Sequence, residues 1–342
     1  MSKTRPIGIY HEHQDWFRPL FDEFDRRGTV YERIDARRHA YDAGGRDEGA
    51  YAVVLNRMSP SAHLRGAGHS ILYTQNYLAH LEQLGVRVIN GTRAFSLETS
   101  KARQLTLLRS LGLPFPPARV INHGSEAPAA ADGLRFPVVV KANIGGSGAG
   151  IVRFEAPEDL ARASIEGRLD LGLDQTALVQ EFIPARGGHI TRVEVIEGRF
   201  LYAINVHTTG DTFNLCPADI CQTNDGVALS RGACPADAPK NNLRVEAFTP
   251  SAEVIDDVER IMAAAGIEIG GVEYLVDDRD GQRYYYDINA LSNFVADAPR
   301  VLGFDPFVRL ADWLEREQQR REALVAPALT VPSGLVEGAT RW

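Results

Sequence analysis

The residues best suited to chemistry are a lysine and a glycine-rich loop within residues 135–154. Residues 138–140 are all valine, and this β-branched run predicts a buried strand, which Lys141 ends. Residues 151–154 predict a returning strand, and the loop before them contains Gly145, Gly146, Ser147, Gly148 and Gly150. Because glycine has no Cβ, the backbone N–H groups of such a loop can approach a phosphate closely. A plain β-hairpin with an exposed lysine is the alternative interpretation.

The order of this unit differs from two better-known phosphate-binding loops. In a Walker A loop the lysine follows the glycines and a helix begins there, and a dinucleotide fingerprint also leads into a helix. Here the lysine precedes the glycines and a strand follows them. Nucleotide binding therefore needs support from other residues of the chain.

A second group of candidate residues is acidic and lies near the C-terminal end. Residues 269–276 and 283–288 predict a hairpin that turns around residues 278–281. Asp287 and Asn289 are two positions apart and share one face of a strand, and the turn folds Glu273 back towards them. Two carboxylates and one amide oxygen form a hard oxygen site that suits Mg²⁺ held together with nucleotide phosphates. The alternative is an ordinary exposed hairpin face.

Three basic residues lie at positions where a positive charge requires a structural or functional reason. Lys101 lies in the first turn of a helix predicted over residues 98–111, where it opposes the helix dipole unless it is solvated or faces an anion. Arg192 lies among apolar residues of a hairpin predicted over residues 190–206, so it points either to solvent or into a site. Arg57 follows a predicted strand and is a candidate to bind a substrate carboxylate, with a surface ion pair as the alternative.

The elements that must position these residues alternate between strands and helices. Strands are predicted over residues 7–10, 30–34, 51–55 and 86–89, with helices over residues 15–27 and 73–84 between them. This alternation predicts an open α/β unit, and a second, smaller α/β unit begins near residue 118. A strand over residues 176–183, a long loop over 208–248 and helices over 253–265 and 305–324 follow. The fold class is therefore α/β (α+β).

Composition excludes some classes of partner. The 342 residues carry a formal net charge of −8, which does not favour nucleic acid or an anionic membrane. No apolar run approaches the roughly 20 residues of a membrane-spanning helix, and no signal peptide is visible, so a cytoplasmic location is expected. Cys216, Cys221 and Cys234 lack the spacing of a zinc site and are interpreted as structural thiols. A homo-oligomer is left open.

Taken in order, these features resemble those of the ATP-grasp superfamily. The order is a lysine on a helix, a lysine before a glycine loop, the sequence Gln-Glu-Phe-Ile, an arginine in a strand and finally Glu…Asp-x-Asn. The resemblance is strongest to the carboxylate–amine ligases, in the branch with ribosomal-protein glutamate ligases, amino-acid ligases of lysine biosynthesis and glutathione synthetases. It covers about residues 98–315, and the N-terminal unit fits the pre-ATP-grasp domain of such enzymes.

This resemblance implies an ATP-grasp fold and a domain plan. A pre-ATP-grasp domain is expected over residues 1–97, a central subdomain over 98–185, a C-terminal subdomain over 186–325 and a tail over 326–342. The implied enzyme is an ATP-dependent ligase that joins a carboxylate to an amine through an acyl phosphate and releases ADP and phosphate. Its cofactors would be ATP and one or two Mg²⁺ or Mn²⁺ ions. A small-molecule kinase and a non-catalytic nucleotide-binding module are the alternatives.

The resemblance also implies roles for individual residues. Lys101 and Lys141 would hold the ATP phosphates, under a loop that contains Gly145, Gly146, Ser147 and Gly148. Arg192 would stabilise the transferring phosphoryl group and, with Lys141, form the catalytic set. The metal would be carried by Glu273, Asp287 and Asn289. The adenine and the rest of the nucleotide would contact Gln180, Glu181, Phe182, Ile183 and Asn214.

The chain departs from the pattern of these ligases at several positions. The acidic residue expected for the ribose is replaced by Ala185, Ile190 or Thr191, and Val206 stands where a second arginine often occurs. After Asn289, the usual Ser-Pro-Gly is replaced by residues 291–294, Leu-Ser-Asn-Phe. That segment normally lies beside the acceptor, so the substrates are expected to differ from those of the named relatives. The candidate substrate-binding residues are Arg57, Ser292 and Asn293.

Overall fold

A computed structural model describes residues 4–45, 50–146, 150–207, 244–295 and 297–325. The mixed α/β class predicted from the sequence is confirmed, because the described chain forms three separate sheets with helices packed on them. Ser147, Gly148, Asn214, the three cysteines and the tail over residues 326–342 lie outside the described residues. The domain boundaries at 97/98 and 185/186 stay predictions.

The elements of the described chain are as follows. The strands are β1 (Ile7–His11), β2 (Tyr31–Asp35), β3 (Val53–Arg57), β4 (Val88–Ile89), β5 (Ala118–Ile121), β6 (Val138–Ala142), β7 (Val152–Phe154), β8 (Ala177–Glu181), β9 (His189–Ile196), β10 (Arg199–His207), β11 (Val245–Phe248), β12 (Ile269–Val276) and β13 (Arg283–Asn289). The α-helices are α1 (Arg18–Arg27), α2 (Gly68–Gln83), α3 (Thr92–Glu98), α4 (Lys101–Ser110), α5 (Ala127–Ala130), α6 (Pro157–Ile165), α7 (Ala252–Ala265), α8 (Ala298–Leu302) and α9 (Pro306–Val325).

The first sheet is parallel, in the order β2-β1-β3-β4. Its central strands β1 and β3 are buried along their whole length, as expected when helices cover both faces of a parallel sheet. The phenylalanines of α1 pack in one apolar cluster with β1 and β3, and α2 belongs to a second cluster that also holds Val54. Gly28 ends α1 with a left-handed backbone at φ 71°, a conformation that glycine adopts without strain.

The second sheet is antiparallel, in the order β5-β8-β6-β7, and carries the glycine loop between β6 and β7. Helices α5 and α6 cover one face through an apolar cluster that includes Leu160 and Ala163. Lys141 lies inside β6 and does not end it, because the strand continues to Ala142 through its pairing with Ala177. The sequence analysis placed the strand end one residue too early and predicted neither α5 nor α6.

The third sheet is antiparallel, in the order β11-β10-β9-β12-β13, with β13 at one edge. Val193, Val195 and Val272 belong to an apolar cluster that also includes residues of α4 and α7. Other residues of the sheet, such as Ile190 and Ile204, belong to the cluster formed with α1 and α9. No helix in the described part of the chain is long and apolar enough to cross a membrane.

Two sequence predictions about secondary structure are wrong in part. The single helix predicted over residues 98–111 is split, because α3 ends at Glu98 and α4 begins at Lys101. Ser100 has an extended backbone, and its hydroxyl accepts a hydrogen bond from Arg103 N–H, so it caps the second helix. The long loop predicted to reach residue 248 ends earlier, because Val245–Phe248 pairs with β10 as a fifth strand of the third sheet.

Candidate active site

One pocket lies between the second and third sheets and gathers most of the residues singled out from the sequence. Strands β6 and β8 form one wall and strands β12 and β13 the other. The predicted residues that line it are Lys101, Lys141, Gly145, Gly146, Gln180, Glu181, Phe182, Ile183, Glu273, Asp287 and Asn289. Residues from four segments that are distant in sequence therefore share one cavity.

The acidic wall of the pocket follows from strand register. Arg192 on β9 pairs with Glu273 on β12, which pairs with Asp287 on β13. Because paired residues of neighbouring antiparallel strands point to the same face, the three side chains form one row. Arg192 Nη1 donates to Glu273 Oε1 at 2.9 Å, and Arg192 Nε donates to Glu194 Oε1 at 2.5 Å. The hairpin and the shared face predicted for Glu273 and Asp287 are confirmed.

A β-bulge in the β12–β13 hairpin brings into the pocket a residue that the sequence did not predict there. The register shifts between Glu273 and Tyr274, so that Tyr286 becomes an extra residue in β13. Tyr286 therefore lines the same pocket as Asp287, and its hydroxyl donates to Glu273 Oε2 at 2.9 Å. The alternation of a regular strand would have placed Tyr286 on the opposite face, so the sequence carried no signal for it.

Glycine at position 271 leaves space for the Glu194 side chain beside β12. Gly271 lies between Glu194 and Asn289 in the register of the three strands. A Cβ at position 271 would lie 3.0 Å from the carboxyl carbon of Glu194. The Glu194 carboxylate can therefore lean over β12 only because no side chain stands there.

The two lysines of the pocket differ in their surroundings. Lys101, at the start of α4, lies 2.5 Å from Asp287 Oδ1. Burial disfavours the lysine cation, but Asp287 outweighs that effect and raises the pKa of Lys101. Burial and the nearby Lys101 cation together lower the pKa of Lys141 to about 7. Lys101 is thus a fixed cation, whereas Lys141 changes its protonation near neutral pH in the ligand-free protein.

The carboxylates of the pocket respond to the same charges. Burial raises the pKa of Glu273, although the Arg192 cation opposes this shift. Burial also disfavours ionised Asp287, but Lys101 outweighs it and lowers the pKa of Asp287. Each acid of the predicted metal set therefore has a basic partner in the ligand-free protein.

Glu98 is a further residue of the pocket that the sequence did not reveal. Its carboxylate is 7% exposed and accepts a hydrogen bond from the backbone N–H of Ala290. Burial raises the pKa of Glu98 to about 7. In the sequence, Glu98 was only an acid near the start of a predicted helix, a position that the helix dipole favours, and nothing pointed it towards β13.

Part of the pocket lining is apolar. Val139, Ile151, Ile183, Leu275 and Ile288 line it together with the end of β8. The backbone N–H of Phe182 donates to Pro137 O at 2.9 Å, and the Glu181 carboxylate accepts from Arg135 N–H at 2.9 Å. The Arg153 guanidinium lies 4.2 Å from the centre of the Phe182 ring. The cavity wall thus forms a hydrophobic slot that can hold a flat apolar ring.

The first sheet also reaches this pocket. Pro60, in a short 3-10 helix after β3, is one of the lining residues. A Cβ at position 146 would lie 2.9 Å from the Cβ of Ser61, so the start of the glycine loop approaches the N-terminal unit as closely as packing allows. A larger residue at position 146 would therefore need the loop or Ser61 to shift.

The candidate substrate residues Arg57, Ser292 and Asn293 do not line this pocket. Arg57 is 1% exposed, and its guanidinium lies 4.9 Å from the centre of the Phe17 ring. The Ser292 hydroxyl accepts from Phe294 N–H at 3.1 Å. Within the described residues, Asn293 Oδ1 and Glu194 Oε2 are buried and accept no hydrogen bond. Two orphaned acceptors of this kind suit a donor group of a ligand.

The donor set of Glu273, Asp287 and Asn289 fits Mg²⁺ by its chemistry. Two carboxylates and an amide are hard oxygen donors, and the Asn289 amide nitrogen donates to Asp287 Oδ2 at 3.3 Å. The described residues contain no cluster of three His, Cys, Asp or Glu side chains that could hold an ion alone. The set therefore suits an ion that takes its remaining ligands from phosphate oxygens and water.

Comparison with known proteins agrees with this architecture. Residues 98–215 match the family model described as a RimK-like ATP-grasp domain. The D-alanine–D-alanine ligase of Alkalilimnicola ehrlichii is 25% identical over 324 residues, which cover 90% of this chain and 89% of that protein. The probable alpha-L-glutamate ligase 2 of Shewanella denitrificans is 29% identical over 164 residues, 44% of this chain and 54% of that protein.

Solved structures of similar fold are also ATP-grasp ligases. The ATP-grasp ligase PsnB, complexed with a minimal precursor, superposes with a TM-score of 0.63 at 20% identity, over 92% of this chain and 99% of that chain. D-cycloserine synthetase DcsG gives 0.63 at 18% identity, over 91% and 99% of the two chains. PsnB has also been solved with Mg and ADP.

The fold is therefore that of an ATP-grasp enzyme, a class that uses ATP with Mg²⁺. The match of residues 98–215 to an ATP-grasp family model and the similarity to D-alanine and glutamate ligases support the superfamily of ATP-grasp carboxylate–amine ligases, and with it an enzyme that forms C–N bonds with ATP. The family resemblance, the ATP-grasp fold and the reaction class predicted from the sequence are confirmed.

Proposed function

We propose that the pocket between the second and third sheets phosphorylates a substrate carboxylate with ATP and passes the acyl group to an amine. The observation that carries this proposal is that Glu273 and Asp287 line one cavity with Lys101 and Lys141, while Arg192 is bound to Glu273 in the same row of the sheet. Carboxylate and γ-phosphate are both anionic, so their reaction needs preorganised positive charge around the transferring group. Few binding functions would require so many opposed buried charges.

The nucleotide is proposed to span the pocket from its apolar end to its charged end. Adenine would lie in the slot beside Gln180, Glu181 and Ile183, and the phosphates would reach Lys101 and Lys141 beneath the glycine loop. Ser147, Gly148 and Asn214 are proposed to complete the phosphate contacts, on the basis of sequence alone. Apolar walls for the base and cations for the phosphates support this orientation.

The metal is proposed to bind Glu273, Asp287 and Asn289. When bound, Mg²⁺ neutralises phosphate charge and orients the terminal phosphate. Both carboxylates are paired with cations in the ligand-free protein. These ion pairs hold Lys101 and Arg192 beside the position proposed for the phosphate and acyl oxygens.

The amine is proposed to enter on the side of Glu194 and the segment 292–295. Tyr202 pairs with Glu194 in the sheet, and its hydroxyl accepts from Val295 N–H at 3.0 Å, which ties this segment to the same face. The orphaned oxygens of Glu194 and Asn293 are acceptors, whereas an amine is a donor. An incoming amine would therefore supply the missing hydrogen bonds.

The carboxylate is proposed to belong to an amino acid or a peptide. Relatives of this chain are named for D-alanine and L-glutamate, and PsnB was solved with a precursor peptide. The substitution of residues 291–294 relative to the usual Ser-Pro-Gly supports an acceptor different from free glutamate. The reaction is proposed to take place in the cytoplasm; self-association stays a prediction from the sequence.

A pairwise screen of amino acids and peptides against amines tests the proposal. ADP release should require both partners, and the product mass should equal the sum of both partners less one water. A carboxylate labelled with ¹⁸O should transfer one label to the released phosphate, because the acyl phosphate carries that oxygen away. A stable phosphorylated product without any amine would instead indicate a small-molecule kinase. Nucleotide binding without turnover across the screen would indicate a binding module.

A further inference from the structure

The strand that carries Asp287 and Asn289 is the edge strand of its sheet, and its outer backbone groups need partners. Among the strands of the described residues, β13 pairs only with β12. Backbone donors and acceptors that are buried without a partner are costly, so the outer edge of β13 must be satisfied by other groups. Pro114 O accepts from Tyr285 N–H at 3.0 Å, and three side chains from the segment 90–104 serve the end of the strand.

Gln104 and Glu98 bind the outer edge, and Asn90 completes the contact. The Gln104 side-chain amide donates to Ile288 O at 2.8 Å and accepts from Ile288 N–H at 3.2 Å. Glu98 accepts from Ala290 N–H, and the Asn90 amide donates to Ala290 O at 2.6 Å. One side-chain amide thus makes the pair of hydrogen bonds that a residue of a neighbouring strand would make.

These contacts are buried and local. Asn90, Glu98 and Gln104 are 1%, 7% and 2% exposed. They hold residues 288 and 290, the two immediate neighbours of Asn289. The same segment carries Lys101, whose ammonium lies 2.5 Å from Asp287 Oδ1. The phosphate-binding lysine and the backbone partners of the metal strand therefore come from one stretch of chain.

We propose that Gln104 and Glu98 are positioning residues for the metal site. They hold the end of β13 so that Asp287 and Asn289 face the metal at a fixed distance from Lys101. The inference rests on the proposed assignment of β13 as the metal-binding strand. The inner edge of β13 stays paired with β12 from Val276 to Gly271, so loss of the outer contacts loosens the strand end without removing the sheet.

The first test compares Gln104→Met with Thr106→Val. Methionine has a similar length and no hydrogen-bonding amide, so Ile288 loses both outer partners. Thr106→Val is the matched control, because it removes a 3.1 Å hydrogen bond to Ala102 O on the exposed face of the same helix. Metal binding is measured by electron paramagnetic resonance of Mn²⁺ with a non-hydrolysable ATP analogue, and hydrogen exchange reports the amides of Ile288 and Ala290.

Gln104→Met should weaken Mn²⁺ binding by about tenfold or more, as other indirect metal-site partners do. Exchange at Ile288 should accelerate, and the KM for Mg²⁺ should rise more than kcat falls. Thr106→Val should leave all these quantities at wild-type values. Wild-type Mn²⁺ affinity in Gln104→Met, with faster exchange at Ile288, would overturn the inference.

Glu98 gives a second, independent pair of variants. Glu98→Gln keeps an acceptor for Ala290 N–H and should retain most metal affinity, whereas Glu98→Leu removes it and should not. If Gln104→Met fails to fold, this pair decides: equal Mn²⁺ affinity in both Glu98 variants contradicts the proposal. The variant Asp287→Asn distinguishes failure of the metal assignment from failure of the positioning role. If that variant binds Mn²⁺ normally, the metal assignment itself is wrong; if it alone loses binding, only the positioning role fails.

Discussion

At the scale of single residues, Arg192 is the group on which the proposed chemistry depends most. It is 5% exposed and lies between two carboxylates, with Nε bound to Glu194 and Nη1 bound to Glu273. A buried arginine held by two acids has a fixed orientation, because its planar guanidinium can satisfy both only in one arrangement. A guanidinium held in this way needs no reorganisation when negative charge develops next to it.

Replacing Arg192 by lysine should lower kcat by on the order of a hundredfold or more and change ATP affinity far less. Lysine keeps the charge but loses the planar fork, so an interaction that strengthens in the transition state is lost. Steady-state kinetics with true substrates measure both quantities. Arg199→Lys is the control, since Arg199 is exposed and pairs with Glu259 on the surface. A large loss of ATP affinity with unchanged kcat would make Arg192 a ground-state anchor.

Lys141 should make nucleotide binding depend on pH. Burial and the Lys101 cation lower its pKa to about 7, and bound phosphates should raise it again because they favour the cation. Below pH 7 the lysine is already charged; above pH 7 binding must take up a proton. Affinity should therefore fall as pH rises above 7, by up to about tenfold per pH unit.

Calorimetry in two buffers of different ionisation enthalpy measures this proton uptake directly. Lys141→Arg is the informative variant, because arginine stays charged over the whole range. It should bind the nucleotide with little dependence on pH between 7 and 9. Equal pH dependence in wild type and Lys141→Arg would show that another group takes up the proton.

At the scale of elements, the β12–β13 hairpin combines the metal set with an irregular register. Asp287→Asn should preserve the fold and remove most turnover at modest Mg²⁺, because one anionic ligand is lost. Circular dichroism and the rate as a function of Mg²⁺ concentration test both parts. Asp280→Asn, in the exposed turn of the same hairpin, should leave the rate unchanged. A wild-type rate in Asp287→Asn would rule out this hairpin as the metal site.

The sequence allowed some of these elements to be predicted because their signals are local. The period of two and the turn at residues 278–281 placed Glu273 opposite Asp287. The bulge that turns Tyr286 into the pocket has no comparable signal. The break between α3 and α4 was also missed, because the pattern indicated one helix over residues 98–111, whereas Ser100 caps a second helix.

At the scale of the whole molecule, the site exists only where three sheets meet. Lys141 comes from the second sheet, Glu273 from the third, and Pro60 from the loop after the first. Alternating strands and helices predicted each unit, but not which loops would face one another, because that depends on packing between distant segments. The contacts of Asn90, Glu98 and Gln104 with β13 also depend on packing between distant segments, so the sequence did not predict them.

The approach of Gly146 to Ser61 allows this junction to be tested. The Ser61 side chain is fixed by contacts within the N-terminal unit. Its hydroxyl lies 2.8 Å from Ser59 Oγ and accepts a hydrogen bond from Arg65, which also binds Glu12. Gly146→Ala should therefore push the glycine loop away from the N-terminal unit, since the new Cβ would lie 2.9 Å from the Cβ of Ser61.

We expect Gly146→Ala to raise the KM for ATP by about tenfold, whereas the double variant Gly146→Ala with Ser61→Gly should recover most of the affinity. Ser61→Gly removes the Cβ that the alanine meets, and the backbone at Gly146 has no left-handed φ that would itself forbid alanine. The four proteins form a double-mutant cycle in which residues in contact must couple. Additive effects across the cycle would mean that alanine at position 146 perturbs the glycine loop independently of Ser61. The N-terminal unit would then not help to position the loop.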